Sequence, residues 1–556
     1  MSTKKKSESN FLVQGSILAI ASVISRIIGF LYRIPLTNII GDSGNGYYST
    51  AQEVYSILLL ISSYSLPLAV SKLVSTRVAK GQRKNAYRIF KGALFFAAIT
   101  GTIAALIVYF GADIITNMLN KPLSIFALKV LAPALLVVAI LGVIRGFFQG
   151  MGTMMPSAVS QLIEQVVNAI VSVWAAYMLY QYGAKIGAVL GNSSTYAEAY
   201  GAAGGTTGTG AGAVAALLFV LFVFAIYRPV YKKMMAKDPG RKKETYGTVF
   251  SVLFLTIIPV LLSTTIYNIS TILDMGIFNQ IAEHQGYKEE TFNAMWGIYS
   301  GKYKTLVNVP IALASSMAAS SVPSLSTAYA ARDISQVKRK VSQTIRFTMV
   351  ITIPCAVGMG VLASPIMQLL FHDSRELPAR IMQIGAVSIV FYALSTLSNG
   401  ILQGIDRMKA PVKNAAITLV LHIGVLVVLM YCFDLNIYAV VWANTFFSFL
   451  MCILNGAAIR KYLKYRQEIV KTFLIPGIAS VIMGGAVYGV YQLMIKTIGH
   501  NAIATITAII IGVIVYAVFL LLMRGLSERE LRAFPMGGTL VRIAKKLHLL
   551  KSSEKK

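Results

Sequence analysis

The chain has 556 residues, 56% of them hydrophobic, and a mean hydropathy of +0.67, yet it carries 51 Lys and Arg against 21 Asp and Glu, a formal net charge of +30. Basic charge and apolar bulk coexist on this scale when the cations lie in short segments between membrane spans. The same distribution excludes nucleic acid as a partner, because a binding groove gathers Lys and Arg on one folded face with stacking aromatics. Cys355, Cys432 and Cys452 all lie inside apolar runs, so they build neither a disulfide framework nor a zinc site.

A run that crosses about 30 Å of hydrocarbon needs roughly 20 residues. Fourteen such runs are present, near 11 to 35, 47 to 75, 86 to 110, 123 to 149, 156 to 180, 203 to 227, 247 to 278, 294 to 327, 342 to 370, 379 to 404, 411 to 432, 436 to 459, 470 to 495 and 501 to 523. Most of the cations fall in alternate connections: Lys4 to Lys6, Arg77 to Lys91, Arg228 to Lys243, Arg332 to Arg346, Arg407 to Lys413, Arg460 to Lys471 and the tail from Arg524. The positive-inside rule makes that side cytoplasmic and places both termini there, in a plasma membrane. The first run contains arginines and no small-residue cleavage site, so it reads as a retained span rather than a signal peptide.

In the first span, Arg26 and Arg33 are seven residues apart, which returns a helix to within about 20° and separates the two guanidiniums by roughly 10 Å along its axis. An arginine at bilayer depth costs a few kcal/mol and usually faces a protein interior or a wet cavity. Snorkelling is the other reading for Arg33. Glu53 opens the second span, and an arginine would partner it. Lys72, near the basic end of that span, either snorkels or faces the interior. The fifth span carries Gln161, Glu164, Gln165 and Asn168 at spacings of three and four, one helical face that serves either as interhelical glue or as a cavity wall. Residues 183 to 202 read as the longest irregular external segment, followed by Gly204, Gly208 and Gly212, a small-residue packing face.

The seventh span holds Asp274, and the tenth ends at Asp406 beside Arg407; both are candidates for a coupling ion or proton, with a local salt bridge the alternative for Asp406. Lys302 and Lys304 open the eighth span, facing inward or sitting at the outer interface. The tail has Leu540, Ile543, Leu547 and Leu550 at helical spacing among Arg542, Lys545 and Lys546, which suits anionic phospholipid at the cytoplasmic face. No phosphate loop, metal cluster or nucleophile motif is present, so neither a cofactor nor a bond-making enzyme is expected.

The fourth span ends in Gly146, Phe147, Phe148, Gln149, Gly150 with Met154 beyond, and the tenth in Gly400, Ile401, Leu402, Gln403, Gly404 with Met408 beyond. Six spans separate the copies. An even separation preserves orientation, so the pattern predicts parallel repeats. The expected architecture is an all-α polytopic membrane protein: six-helix lobes at 1–240 and 241–466 around a central cavity, two further spans at 467–526, and a basic amphipathic tail at 527–556.

The run Ser25, Arg26, Ile27, Ile28, Gly29, Phe30, Leu31, Tyr32, Arg33, the repeated G-x-x-Q-G turns and the fourteen-span layout resemble the MurJ-type lipid II flippases. More closely they resemble the stage V sporulation protein B branch of polysaccharide exporters, in the multidrug/oligosaccharidyl-lipid/polysaccharide superfamily. The resemblance implies two lobes around a cationic cavity, with the last two helices forming a groove for a polyprenyl tail. It also implies a lipid-linked oligosaccharide as substrate, lipid II foremost, moved by alternating access with coupling to membrane potential, Na+ or H+, and cell-wall synthesis proteins as partners. Arg26 matches the family's first cavity arginine. Arg33 falls one residue beyond the usual second spacing. The family's second-span arginine has no counterpart in Ser56, Ile57, Leu58, Leu59, and Lys302 or Lys304 would have to supply the eighth-span cation. A cation antiporter of the multidrug and toxin extruder type, expected to line its cavity with carboxylates and use twelve spans, and a non-transporting scaffold for wall or spore assembly are the competing readings.

Overall fold

The structure, a computed structural model, describes residues 2–64, 66–236, 238, 244–531 and 537–546, and no strand occurs among them. Hydrocarbon offers no partner to a backbone N–H or C=O, so spans close their hydrogen bonds within one segment and become helices. In chain order these are α1 (Ser2–Leu59), α2 (Leu66–Ala79), α3 (Arg83–Met118), α4 (Ile125–Gly150), α5 (Met155–Leu190), α6 (Ser193–Ala236), α7 (Tyr246–His284), α8 (Glu289–Gly297), α9 (Lys304–Ala330) and α10 (Ile334–Val361). They continue as α11 (Ala363–Phe371), α12 (Glu376–Gly385), α13 (Ser388–Gly404), α14 (Lys409–Tyr431), α15 (Ile437–Leu463), α16 (Ile475–Ile498), α17 (Asn501–Leu522), α18 (Glu528–Leu531) and α19 (Gly537–Lys546).

Among the described residues, ten helical stretches are long and apolar enough to cross a membrane, or eleven counting α12 and α13 as one span bent by 44°. The stretch Ile20–Ala79 holds most of the first sequence run and all of the second. Unbroken, its 60 residues would extend about 90 Å. The helix is interrupted at Gly41, whose φ of 69° and ψ of −173° favour a residue without Cβ. The seventh and eighth runs lie on α7 and α8–α9.

The chain divides into two compact units, Met1–Gly301 and Lys302–Lys556. In the first unit α8 lies directly on α1 beyond its break. A Cβ on Gly297 would come within 1.8 Å of the Asp42 carbonyl oxygen. Asn293 Nδ2 donates to the Ser43 carbonyl at 2.8 Å. The basic connection after α6 is tied to the α2–α3 turn: Arg77 Nε and Nη2 each donate to Glu244 at 3.2 Å, and the Lys84 amide donates to Asp238 at 2.8 Å. Residues 183 to 202 are not an irregular segment. Helix α5 runs on to Leu190 and α6 starts at Ser193, with Gly191 left-handed at φ 83° between them. The small side chains there let the two helices stay in contact past the apolar run, and Gly204, Gly208 and Gly212 continue that close packing against α5.

The repeated turn has one structural meaning in both units. A Cβ on Gly146 would meet the Pro67 carbonyl oxygen at 2.6 Å and one on Gly150 the Val74 Cβ at 2.7 Å, so α4 sits directly on α2. In the second unit, a Cβ on Gly400 would meet Ala318 Cβ at 3.1 Å and one on Gly404 the Leu325 Cβ at 3.0 Å, so α13 sits on α9. The second and fourth spans thus pack as the eighth and tenth do, as expected of parallel repeats. Also in the second unit, Arg346 Nη1 pairs with Glu530 at 2.7 Å, fastening α10 to the segment beyond α17. Lys545 on α19 pairs with Glu528 at 2.9 Å. Leu547 and Leu550 lie outside the described residues.

A charge-biased topology predicts accessibility. With the three native cysteines replaced, single cysteines at the exposed Asn192 and Ser194 should react with an impermeant maleimide in intact cells, while ones at the exposed Lys80 and Ser335 should react only after permeabilisation. Labelling of Lys80→Cys in intact cells would reverse the orientation.

Candidate functional site

In the first unit the two arginines of α1 differ. Arg26 is exposed, and Arg33 is half-buried. The Arg33 guanidinium carbon lies 4.4 Å from the centroid of the Tyr48 ring, which belongs to the part of α1 beyond the Gly41 break. Its Nη1 is buried and meets no acceptor among the described residues. The Tyr48 ring is held in turn: it hydrogen-bonds Tyr32, whose hydroxyl accepts from Asn168 Nδ2 at 3.4 Å. Ser172 Oγ lies 2.9 Å from Asn168 Oδ1 and 2.7 Å from the Gly205 carbonyl oxygen. A chain of side chains across α1, α5 and α6 therefore fixes the plane of one guanidinium while leaving one of its donor nitrogens unused.

The polar stripe of α5 faces the same helix. Ser22 Oγ donates to Gln161 Oε1 at 3.3 Å, and Gln165 approaches Gly29. Glu164 is paired with Arg145 of α4, whose Nη2 lies 2.8 Å from its carboxylate and whose Nε donates to Ser160 Oγ at 2.7 Å. Arg145 is not among the candidates that the sequence offers. Its position in the last turns of an apolar run, opposite Glu164 across a short helical hairpin, is the signal that points to this pair. Lys72 is exposed on α2, and Asp274 is buried on α7.

In the second unit Lys302 is buried and its ammonium pairs with Asp373. Arg375 binds the same carboxylate through Nε at 2.9 Å and Nη2 at 2.6 Å, with its backbone N–H adding a third bond at 3.0 Å. Burial alone would raise the Asp373 pKa, but the Arg375 and Lys302 hydrogen bonds outweigh it and hold the carboxyl well below the usual carboxylate range. Lys304 is half-buried at the start of α9. Asp406 is exposed in the turn after α13 at φ 57°, while the neighbouring Arg407 guanidinium lies over the Tyr462 ring at 4.7 Å. Among the described residues no group of three His, Cys, Asp or Glu is placed to hold a metal.

A cavity of about 770 Å³ is lined by α10, α11, α16 and α17. Val350, Met359, Met483, Val487 and Val513 contribute to walls that are almost wholly apolar. Its upper size range and chemistry suit a hydrocarbon chain rather than a sugar.

A model of the polysaccharide biosynthesis protein family matches residues 12–329, more than half of the chain. The chain belongs to that family. A MatE model matches residues 304–428. Among curated relatives, "Lipid II flippase MurJ" of Bacillus subtilis (strain 168) is 26% identical over 503 residues, covering 86% of this chain and 88% of its own. "Stage V sporulation protein B" of the same organism is 24% identical, covering 96% and 99%. A solved structure described as "Lipid II flippase MurJ, inward closed conformation" superposes with a TM-score of 0.62 at 16% identity, covering 90% of this chain and 97% of its own. At that identity the likeness shows the fold, and the ten or eleven long apolar helices among the described residues make this family member a multi-pass membrane protein.

The Arg145–Glu164 pair predicts a coupled defect. Arg145→Gln should lower stability by about 1.5–3 kcal/mol by leaving a partly buried carboxylate without its charged donor. Glu164→Gln introduced beside it should recover part of that loss. Thermal unfolding of the four proteins in one detergent completes the cycle, and strictly additive losses would mean the pair is not coupled.

Proposed function

We propose that this protein is a flippase that moves a polyprenyl-pyrophosphate-linked saccharide, lipid II the foremost candidate, between the leaflets of a bacterial plasma membrane by alternating access. The observation that carries the reading is Arg33: a guanidinium fixed over an aromatic ring with an unused buried donor, seven residues from the exposed Arg26 on the same helix. A pyrophosphate is an anion of the kind a guanidinium binds in bidentate fashion. Its hydrated head cannot enter hydrocarbon, whereas its tail need never leave it. The apolar cavity of α10, α11, α16 and α17 suits such a tail. The names of the curated relatives support transport of a lipid-linked precursor. Gln161, Asn168 and Glu164 take the role of holding the arginine helix, and Lys72 that of a secondary cation in the first unit, whereas Lys302 is committed to Asp373 in the second. The pairing of Glu164 with Arg145 argues against the antiporter reading, which needs carboxylates open to an organic cation. No bond in the substrate is made or broken in this scheme, and anionic phospholipid and cell-wall synthesis proteins are its proposed neighbours.

In proteoliposomes with a labelled lipid-linked precursor, Arg26→Ala and Arg33→Ala should each slow flipping roughly 10- to 100-fold, the equivalent of losing about 1.5–3 kcal/mol of charge-assisted contact. Arg26→Lys should be partly active, since the fork is lost and the charge kept. Wild-type flipping by both alanine variants would remove the pyrophosphate site.

Cationic side chains moving with the empty carrier also feel the membrane potential, about 2.3 kcal/mol per charge per 100 mV for a full crossing. An inside-negative potential therefore favours the empty, inward-open carrier. A valinomycin-clamped potassium gradient should change the turnover of the wild type and change that of Arg26→Gln less. Response to a sodium gradient alone would transfer coupling to Asp274 or Asp406.

A further inference from the structure

Lys121, in the turn between α3 and α4, is 0% exposed. Its ammonium has no hydrogen-bond partner among the described residues and lies 5.5 Å from the Trp296 ring of α8. Two carboxylates act on it from separate helices, Glu53 of α1 and Glu289 of α8. Around them other buried polar atoms lack partners among the described residues: Glu289 Oε1, Trp296 Nε1, Gln52 Oε1 and Asn279 Oδ1. From α7, Asn279 Nδ2 donates to the Leu119 carbonyl at 2.8 Å and Glu283 pairs with Asn120, while Asp274 is buried on the same helix. Native interiors leave few polar groups unanswered, and a cluster of them around an ionisable side chain marks a place where charge is exchanged. Nothing in the pyrophosphate reading uses this cluster.

We propose that Lys121, with Glu53 and Glu289, is a proton-binding site of the first unit that joins the far part of α1 to α8. With the proton on, the ammonium draws the two carboxylates toward the α3–α4 turn; with it off, that attraction is lost and the carboxylates face each other across a neutral amine. Glu53 stands five residues from Tyr48, the ring over which Arg33 is held, so the occupancy of this site bears on the segment that positions the arginine. That consequence for transport rests on the flippase reading. The proton site itself does not.

Burial lowers the Lys121 pKa to about 7, against about 10.4 for a lysine in an unfolded chain, and the two carboxylates oppose the shift only in part. Between those values the unfolded chain binds more protons than the folded one, so stability rises with pH across the window, tenfold in the folding equilibrium per pH unit, and is flat in this contribution below about pH 7.

The test follows the unfolding midpoint of the full-length protein in detergent from pH 6 to pH 10, with no substrate present. The difference between wild type and Lys121→Met should show a break near pH 7 with a rising limb above it. Glu289→Gln, which removes a charge favouring the ammonium and leaves Lys121 in place, should move the break to lower pH. Parallel curves for wild type and Lys121→Met, or an unmoved break in Glu289→Gln, would overturn the site. If the break behaves as expected and the pH profile of flipping in Lys121→Met matches that of the wild type, the site stands and its link to transport fails.

Discussion

An ionised side chain inside a helical bundle must be answered by another charge, a dipole or a polarisable ring, because the low dielectric makes the isolated ion far more costly than it is in water. The arrangement of this protein follows from how that requirement is met at each charge. Glu164 is answered by Arg145, whose Nε is held by Ser160, Lys302 by Asp373 with Arg375 beside it, and Arg346 by Glu530. These groups act as fasteners between helices. Arg33 is answered by the Tyr48 face, which leaves a donor nitrogen over, and Lys121 by ring and carboxylates at longer range. Such incompletely answered charges are the ones able to respond to a ligand or a proton.

The same economy explains the glycines. Where one span must lie directly on another, a side chain on the facing residue would collide with backbone or Cβ atoms of its neighbour, as for α4 on α2, or crowd it, as for α13 on α9. Close backbone approach is how helices associate when the surroundings are as apolar as their side chains. A motif that recurs six spans apart therefore records a repeated packing contact, and its glutamine and methionine are not needed to account for that contact.

The break at Gly41 gives α1 two jobs. Before it, the helix carries Arg26 and Arg33; beyond it, the same helix supplies Tyr48 to hold Arg33 and Glu53 to face Lys121. Helix α8 seals the second part through Gly297, Asn293 and Trp296. The first compact unit consequently extends past the basic connection to Gly301, with α7 and α8 folded against α1, α2 and α3.

Periodicity and hydropathy by themselves determined the helical class, the repeated turn and the common face of Arg26 and Arg33, because these depend on spacing along one segment in a solvent that permits only helix; the tight turn at Gly191, expected as a long irregular segment, was not among them. The family was legible for the same reason, in a short run of α1 and in the two turns. Pairing was not. Whether the α5 stripe met α1 or open space, that Arg145 would hold Glu164, that Lys302 would find Asp373 across 71 residues, and that Lys121 would be buried beside α8 all depend on which faces meet. Long side chains reach partners several turns away, and many alternatives share the same spacing. Only the tertiary structure selects one of them, since the cost of an unanswered charge is decided by its surroundings and not by its position in the chain.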